Sequence, residues 1–260
     1  MSVLTVIVPV LNEAPNMERL MGAFQEIAVQ FAHHQPCFIL VDDGSSDGTA
    51  EKASSLAGNL NFKVLRHEVN RGPGMAFSTA FEHLAPTLQA DDWVVTLEGD
   101  NTSRHEMLRQ MFTRMEEGFD VVFASPYLYG GGITNTDGIR VFLSKMANVF
   151  VKEILGLGGL VTVSSFYRLY RGSAIQRLQA VYGVRILERS GFECMVEMCL
   201  KMIYLGFTIS EIAMVLDTSR RIGRSKMKIG RTIRGYIALQ GLRGGWQTAA
   251  KRTHNGLHSS

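Results

Sequence analysis

Cysteine is scarce, and its spacing suits no covalent scaffold. Cys37, Cys194 and Cys199 form no Cys-x-x-Cys pair. An odd number so spaced builds neither a disulfide framework nor a thiolate zinc site, and the three read as small buried hydrophobes in a reducing compartment. Seven histidines fall at no metal-ligand spacing. Long apolar runs are also missing: the longest, residues 3–11 and 38–41, are strand-sized, well short of the ~18 residues that span a bilayer. No basic stretch precedes Val3, so the start reads as a first strand and not as a signal peptide. Acidic residues stop at Asp217, whereas ten basic residues follow it, leaving 17 basic against 24 acidic residues in the body. An acidic body with a basic tail calls for an anionic partner on one face: phosphate, membrane surface or nucleic acid.

What is present describes a globular chain. Hydrophobic residues make up 46% and charged residues 20% of 260, which excludes disorder, collagen-like repeats and a coiled coil and allows one sizeable core. Residues 3–10 form a near-continuous Val/Ile run, as in a strand covered on both faces. Met17, Leu20, Met21, Phe24, Ile27 and Ala28 then recur at helical spacing. Further strands are expected at 38–41, 62–67, 93–97 and 120–124, with helices at 49–57, 72–84 and 107–116 between them. That alternation predicts an α/β fold with a mostly parallel central sheet flanked by helices. Beyond it lie a glycine-rich loop over 129–137, helices over 139–155 and 193–205, and one strand over 207–216.

In such sheets ligands bind outside the carboxyl ends of the strands, and the acidic residues cluster there. PVLNEA (9–14) and VDDGSSDGT (41–49) each close a strand. An acidic pair followed by Gly-Ser fixes carboxylates at the sheet edge, where they can accept from base N–H groups and ribose hydroxyls. A third strand ends in LEGDNTS (97–103), delivering Glu98 and Asp100 two residues apart, with Thr102 beyond. Carboxylate and hydroxyl oxygens suit Mg²⁺ or Mn²⁺, which such sites share with substrate phosphates. A cation so placed neutralises the charge on a departing diphosphate.

With these three motifs in order, the chain resembles family 2 glycosyltransferases of the GT-A fold. It is most similar to their dolichol- or polyprenyl-phosphate mannosyl- and glucosyltransferase branch, and the likeness runs to about Gly241. The resemblance implies that Pro9, Leu11 and Glu13 line the nucleotide, with Glu13 at the ribose. It implies that Asp43, with Asp42 beside it, recognises the base near Arg71 and Gly72. Glu98, Asp100 and Thr102 then stand at the three positions of the metal motif, with Gly99 between the first two at the nucleotide sugar. The segments 139–148 and 164–171, and Arg220-x-x-Gly-x-Ser-Lys226, resemble the acceptor and phosphate-gripping parts of that branch, implying Arg140, Arg168, Arg220 and Lys226 at an acceptor phosphate. Asp100, Arg140, Arg220 and Lys226 carry the catalytic expectation. The chain departs from the pattern at Leu11, Glu98, Thr102, Pro126 and Thr162.

An acceptor phosphate is already anionic near neutral pH, so it needs no base. For a hydroxyl acceptor, Glu188 and Glu193 are the candidate bases. The favoured reading is transfer from GDP-mannose or a UDP-hexose to a polyprenyl phosphate with inversion. The alternatives are a soluble hydroxyl acceptor, nucleotidyl transfer on a similar fold, or a non-catalytic membrane or nucleic-acid binding module. Residues 1–226 form the expected transferase domain and 227–260 a basic amphipathic extension. In that extension Ile229, Ile233, Tyr236 and Ile237 share one face, fit for an anionic membrane surface, and this places the protein peripherally at the cytoplasmic face of the cell membrane. A packed C-terminal helix with a solvated basic side is the competing reading. No aromatic-interleaved platform supports nucleic acid, and the sequence sets no oligomeric state.

Overall fold

The computed structural model describes residues 2–257 except 137, 139–145, 147, 150, 151, 154, 158 and 223–228. The first half alternates strand and helix as its periodicity dictates: β1 Leu4–Val10, α1 Met17–Gln30, β2 Cys37–Asp42, α2 Thr49–Leu56, β3 Phe62–Arg66, α3 Pro73–Leu84, β4 Trp93–Thr96, α4 Leu108–Glu116 and β5 Val121–Ser125. After it come β6 Gly132–Thr134, β7 Arg168–Arg171, α5 Gly172–Tyr182, α6 Cys194–Tyr204, β8 Ile209–Ala213, β9 Val215–Asp217 and α7 Ile229–Leu257. Seven strands form one sheet in the order β3-β2-β1-β4-β7-β5-β8. All its pairings are parallel except those of β7, which runs antiparallel to both β4 and β5. This is the GT-A-like architecture expected from the sequence.

Side chains alternate across the pleat and both faces are covered. Ile7, Ile39, Val41, Val94 and Phe123 therefore pack beneath α3, α5 and α6. Val6, Val8, Leu40, Val95 and Val122 pack beneath α1 and α4. The register sets Val10 beside Asp42 and Ile7 beside Thr96, so the loops after β1, β2 and β4 open along one sheet edge.

The second half departs from the sequence reading in three places. The glycine-rich loop contains β6, which pairs with β9 in a separate two-stranded sheet. The single strand expected over 207–216 is divided at Met214: β8 extends the main sheet and β9 leaves it. The strand β7 and helix α5 carry no period that marks them, since Arg168 and Arg171 interrupt the apolar pattern of RLYR.

The C-terminal helix α7 is docked on the body. Leu239, Trp246 and Ala250 are buried within the main core, and Tyr236 and Leu242 pack against it. Trp246 Nε1 donates to Glu188 Oε1 at 2.6 Å. The apolar face expected of the tail is therefore split. Tyr236 turns inward, while Ile233 and Ile237 point outward and are 41% and 56% exposed.

Candidate active site

The site is built from three loops at the shared sheet edge. After β1, Asn12 takes a left-handed conformation (φ 49°). The turn is stitched to the loop after β2: Asn12 N–H donates to Ser45 Oγ (2.8 Å), Glu13 N–H to Thr49 Oγ1 (2.8 Å) and Ala14 N–H to Asp47 Oδ2 (3.0 Å). Ser46 N–H returns a bond to Asn12 Oδ1 (2.9 Å). The Ser, Asp and Thr side chains of DDGSSDGT thus satisfy backbone donors that no strand can reach. Glu13 is buried, and its Oε2 accepts from Asn16 Nδ2. Pro9 sits in β1 beside Val41, one strand away from Gly99. A Cβ on Gly99 would lie 2.7 Å from Val10 Cγ1 and 3.0 Å from Pro9 O, so only glycine lets the metal-motif loop close on β1.

The two aspartates after β2 have different partners. Asp43 holds the loop before α3: its Oδ1 accepts from Arg71 N–H (2.9 Å) and its Oδ2 from Gly72 N–H (2.7 Å). His67 Nδ1 lies 2.7 Å from Oδ1, and the other ring nitrogen lies 2.9 Å from Thr79 Oγ1. Asp42 accepts from Ser45 N–H through Oδ1 (2.9 Å). Its Oδ2 is buried without a hydrogen-bond partner, and the nearest cation, Arg66 Nε, is 3.5 Å away. A buried carboxylate oxygen in this state is an open acceptor. Beside it, Gly44, Ser45, Arg66, His67 and Glu68 line a recess of about 290 Å³. Gly44 (φ +80°) lies directly against the backbone of residues 69 and 70, since a Cβ there would sit 2.6 Å from the Val69 carbonyl carbon. Sequence assigned the base mainly to Asp43, yet the oxygen left over belongs to Asp42. The side chain of Arg71 is exposed, and its backbone N–H is held by Asp43.

The third loop carries Glu98, Asp100 and Thr102, the residues the sequence reading expects at a metal. Glu98 Oε2 accepts from Ser103 Oγ (2.6 Å). Burial pushes the Glu98 carboxyl up to about 7, and the charge of neighbouring Asp100 adds to the rise while Ser103 opposes it. Asp100 Oδ1 accepts from Thr102 N–H (3.1 Å) and Thr102 Oγ1–H (2.7 Å). Its Oδ2 accepts from Arg221 Nε (2.7 Å). The hydroxyl hydrogen of Thr102 thus positions Asp100, and its oxygen keeps its lone pairs. Among the described residues no three His, Cys, Asp or Glu side chains gather to cage a metal. Two carboxylates completed by substrate phosphates are the usual arrangement for Mg²⁺, and Glu98 with Asp100 fits it. A cation bound by Glu98 would have to displace its proton below pH 7, so Mn²⁺ affinity would fall by up to about tenfold per unit below that pH. Titrating Mn²⁺ at pH 5.5 to 8 checks this, and Glu98→Gln should flatten the profile.

The expected acceptor residues separate. Arg140 and Lys226 lie outside the described residues. Arg168 is fully buried on β7, with Nε on Ser165 O and Nη2 on Val163 O (both 2.8 Å), its guanidinium 4.1 Å from the Phe123 ring centre, and its Nη1 without a hydrogen-bond partner among the described residues. Arg220 is half-buried beside a cavity of about 230 Å³ that Glu98, Ser103, His105 and Arg19 also line. Asn16, Ser103 and Arg221 were missed by sequence reasoning. Asn16 lies two residues past PVLNEA and Arg221 adjoins Arg220, but nothing in sequence marks either as a site residue.

Comparison with known proteins gives the same fold and a family. A sequence model described as glycosyl transferase family 2 matches residues 5–179. The polyprenol monophosphomannose synthase of Mycolicibacterium smegmatis is 28% identical over 92% of this chain and 87% of that protein. The dolichol-phosphate mannosyltransferase of Pyrococcus furiosus is 28% identical over 90% of this chain, which spans 61% of that longer relative. Among solved structures, glucosyl-3-phosphoglycerate synthase from Mycobacterium tuberculosis, bound to Mn²⁺, UDP and glucosyl-3-phosphoglycerate, aligns with a TM-score of 0.64 at 17% identity over 94% of this chain and 80% of that one.

Proposed function

The chain belongs to glycosyl transferase family 2, and on that premise we propose that it moves a hexosyl group from a nucleotide-diphosphate sugar to a polyprenyl phosphate, with inversion. The observation that carries this reading is the likeness to a polyprenol monophosphomannose synthase along nine-tenths of the chain. In this reading the base enters the recess beside Asp42, displaces the half-exposed Arg66 and donates an N–H to Oδ2. Asp43 acts indirectly by fixing the backbone of Arg71 and Gly72. Pro9, Leu11 and Glu13 form the floor under the nucleoside.

Glu98 and Asp100 would hold Mg²⁺ or Mn²⁺, which supplies positive charge to the departing diphosphate. The chain's own contribution is to fix both carboxylates: Ser103 orients Glu98, and Thr102 orients Asp100 through two bonds to one oxygen. The acceptor phosphate oxygen forms the new bond to the anomeric carbon as the bond to the donor diphosphate breaks on the opposite side. Arg140, Arg220 and Lys226 are the proposed phosphate grip. No proton has to be removed, and the two candidate bases are engaged elsewhere. Burial raises the Glu188 carboxyl, but Trp246 and Lys201 outweigh it and hold the group below its ordinary range. Glu193 is buried against Gly235 and paired with Arg189 at 3.2 Å. These engagements favour a phosphate over a hydroxyl acceptor.

A ligand that binds only the folded state raises its melting temperature, by about 2.7 kcal/mol of stabilisation at a hundredfold excess over Kd. GDP, UDP, GDP-mannose and UDP-glucose, each with and without Mn²⁺, test the donor site. One nucleotide should give a Mn²⁺-dependent shift, and release of a nucleoside diphosphate on adding a polyprenyl phosphate completes the assignment. Release of pyrophosphate would mean nucleotidyl transfer, and equal turnover on a soluble hydroxyl acceptor would move the acceptor class.

The acceptor would be met at a lipid surface. No helix of the described residues is long and apolar enough to cross a membrane, and α7 offers the outward Ile233 and Ile237 beside the exposed Arg234. Burying each isoleucine is worth roughly 1.5–3 kcal/mol, and each basic residue near anionic lipid about 1 kcal/mol. The double variant Ile233→Ser/Ile237→Ser should weaken binding to anionic vesicles by at least about tenfold with the melting temperature unchanged, as read by co-sedimentation. Undiminished sedimentation would return α7 to a purely structural role.

A further inference from the structure

Asp100 Oδ2 is already held by a cation of the protein itself. Arg221 donates Nε–H to it at 2.7 Å, and Nη2 of the same guanidinium lies 2.5 Å away. The carboxylate side chain is 17% exposed and that of Arg221 28%. The segment carrying Arg221 is itself strapped down. Asp217 N–H donates to Thr102 O at 3.1 Å. Ile222 exchanges two bonds with the side-chain amide of Asn16, its N–H donating at 3.2 Å and its carbonyl accepting at 3.3 Å. Arg19 Nη1 donates to Arg220 O at 2.6 Å. Residues 217–222 are thus fastened to the metal-motif loop and to the start of α1 by backbone bonds that do not depend on the Arg221 side chain.

A guanidinium and a divalent cation compete for the same carboxylate lone pairs. They differ in what they do once displaced: a planar fork of N–H donors matches two oxygens of a phosphate group, whereas a solvated ion simply departs. We propose that Arg221 is an exchangeable counter-charge, pairing with Asp100 until the donor's cation claims that carboxylate and then turning to the diphosphate that arrives with it. The strap keeps the guanidinium within reach of both positions. Arg221 is on this account a positioning and charge-balancing residue, and the inference rests on Asp100 being a cation ligand as read above.

The two halves of the exchange have opposite signs, which a merely structural residue cannot mimic. In the full chain, Arg221→Gln should bind Mn²⁺ alone up to about fivefold more tightly, the size expected when a partly exposed ion pair no longer has to be broken. With Mn²⁺ saturating, the same variant should bind UDP or GDP, whichever the wild type accepts, more weakly. Arg221→Lys, which keeps the charge and loses the fork, should lie between wild type and Arg221→Gln in both. Free Mn²⁺ measured by electron paramagnetic resonance and nucleotide binding by calorimetry give the two affinities. Unchanged Mn²⁺ affinity in Arg221→Gln, or a fall in both affinities together, overturns the proposal. Asp100→Asn separates this failure from the larger one. If Mn²⁺ binds it as tightly as wild type, Asp100 is not the ligand and the metal reading fails. If Mn²⁺ binding needs Asp100 but ignores Arg221, only the exchange fails.

Discussion

Asp100→Asn is expected to lower hexosyl transfer by about 10²–10³-fold, the scale of losing a preorganised electrostatic contact in an active site, with little change in folding. The side chain keeps its size, and the amide oxygen can still accept the two bonds that Thr102 gives Oδ1. What disappears is the negative charge, and the amide nitrogen now faces the Arg221 guanidinium donor to donor. A partly exposed ion pair of this kind is worth no more than about 1 kcal/mol, so the melting temperature should move by only a few degrees. Initial rates with a nucleotide sugar and a polyprenyl phosphate, alongside a melt of each protein, separate the two effects. Activity within tenfold of wild type would remove Asp100 from the metal motif, whatever the likeness of sequence.

Lys201→Ala is expected to produce the largest loss of stability, about 3–5 kcal/mol. Lys201 and Glu197 are one turn apart on α6, and both side chains are fully buried. Lys201 Nζ donates to Glu197 Oε1 (2.6 Å), Glu188 Oε1 (3.0 Å) and Ile186 O (2.7 Å), and lies 4.7 Å from the Trp246 ring centre. Glu197 also accepts the backbone N–H groups of Glu188 and Arg189 (2.8 and 2.9 Å). Removing the ammonium strands a carboxylate away from water and cuts the joint between α6, α7 and the loop around Ile186. Urea unfolding reads the loss. The double variant Lys201→Met/Glu197→Leu should recover part of it, because a buried pair exchanged for apolar volume leaves no unpaired charge. Recovery should stay incomplete, since two backbone donors lose their acceptor. Damage should also reach the proposed donor site: Ser190 O accepts from Gly74 N–H at 2.9 Å, and Gly72 N–H is what Asp43 holds. A Lys201→Ala loss below about 1 kcal/mol would mean that water reaches this cluster.

The legible parts of the molecule are those where local pattern and tertiary role coincide. The strands β1 and β2 read correctly because a strand covered on both faces must be apolar throughout, and their loops because Asp, Gly and Ser satisfy turn backbones in any context. The likeness of residues 164–171 to an acceptor segment put Arg168 in the acceptor set; two carbonyls and a phenyl ring instead give its guanidinium interior partners. The strand over 207–216 read as one because its apolar residues run on, and only the pairing partners of its two ends divide it between sheets.

The sequence by itself determined the α/β alternation, the three loops at one sheet edge, and the acidic residues placed on them, since each follows from periodicity or turn chemistry within a dozen residues. Tertiary structure decided between neighbours of the same kind. It left Asp42, not Asp43, with an open acceptor, set Arg221 on Asp100 beside the more recognisable Arg220, and turned Tyr236 inward while Ile233 and Ile237 face out. Each of these choices depends on the phase of one element against a partner distant in the chain. Adjacent residues on a strand or helix point in different directions, and which direction meets a partner is fixed by packing that no local pattern records.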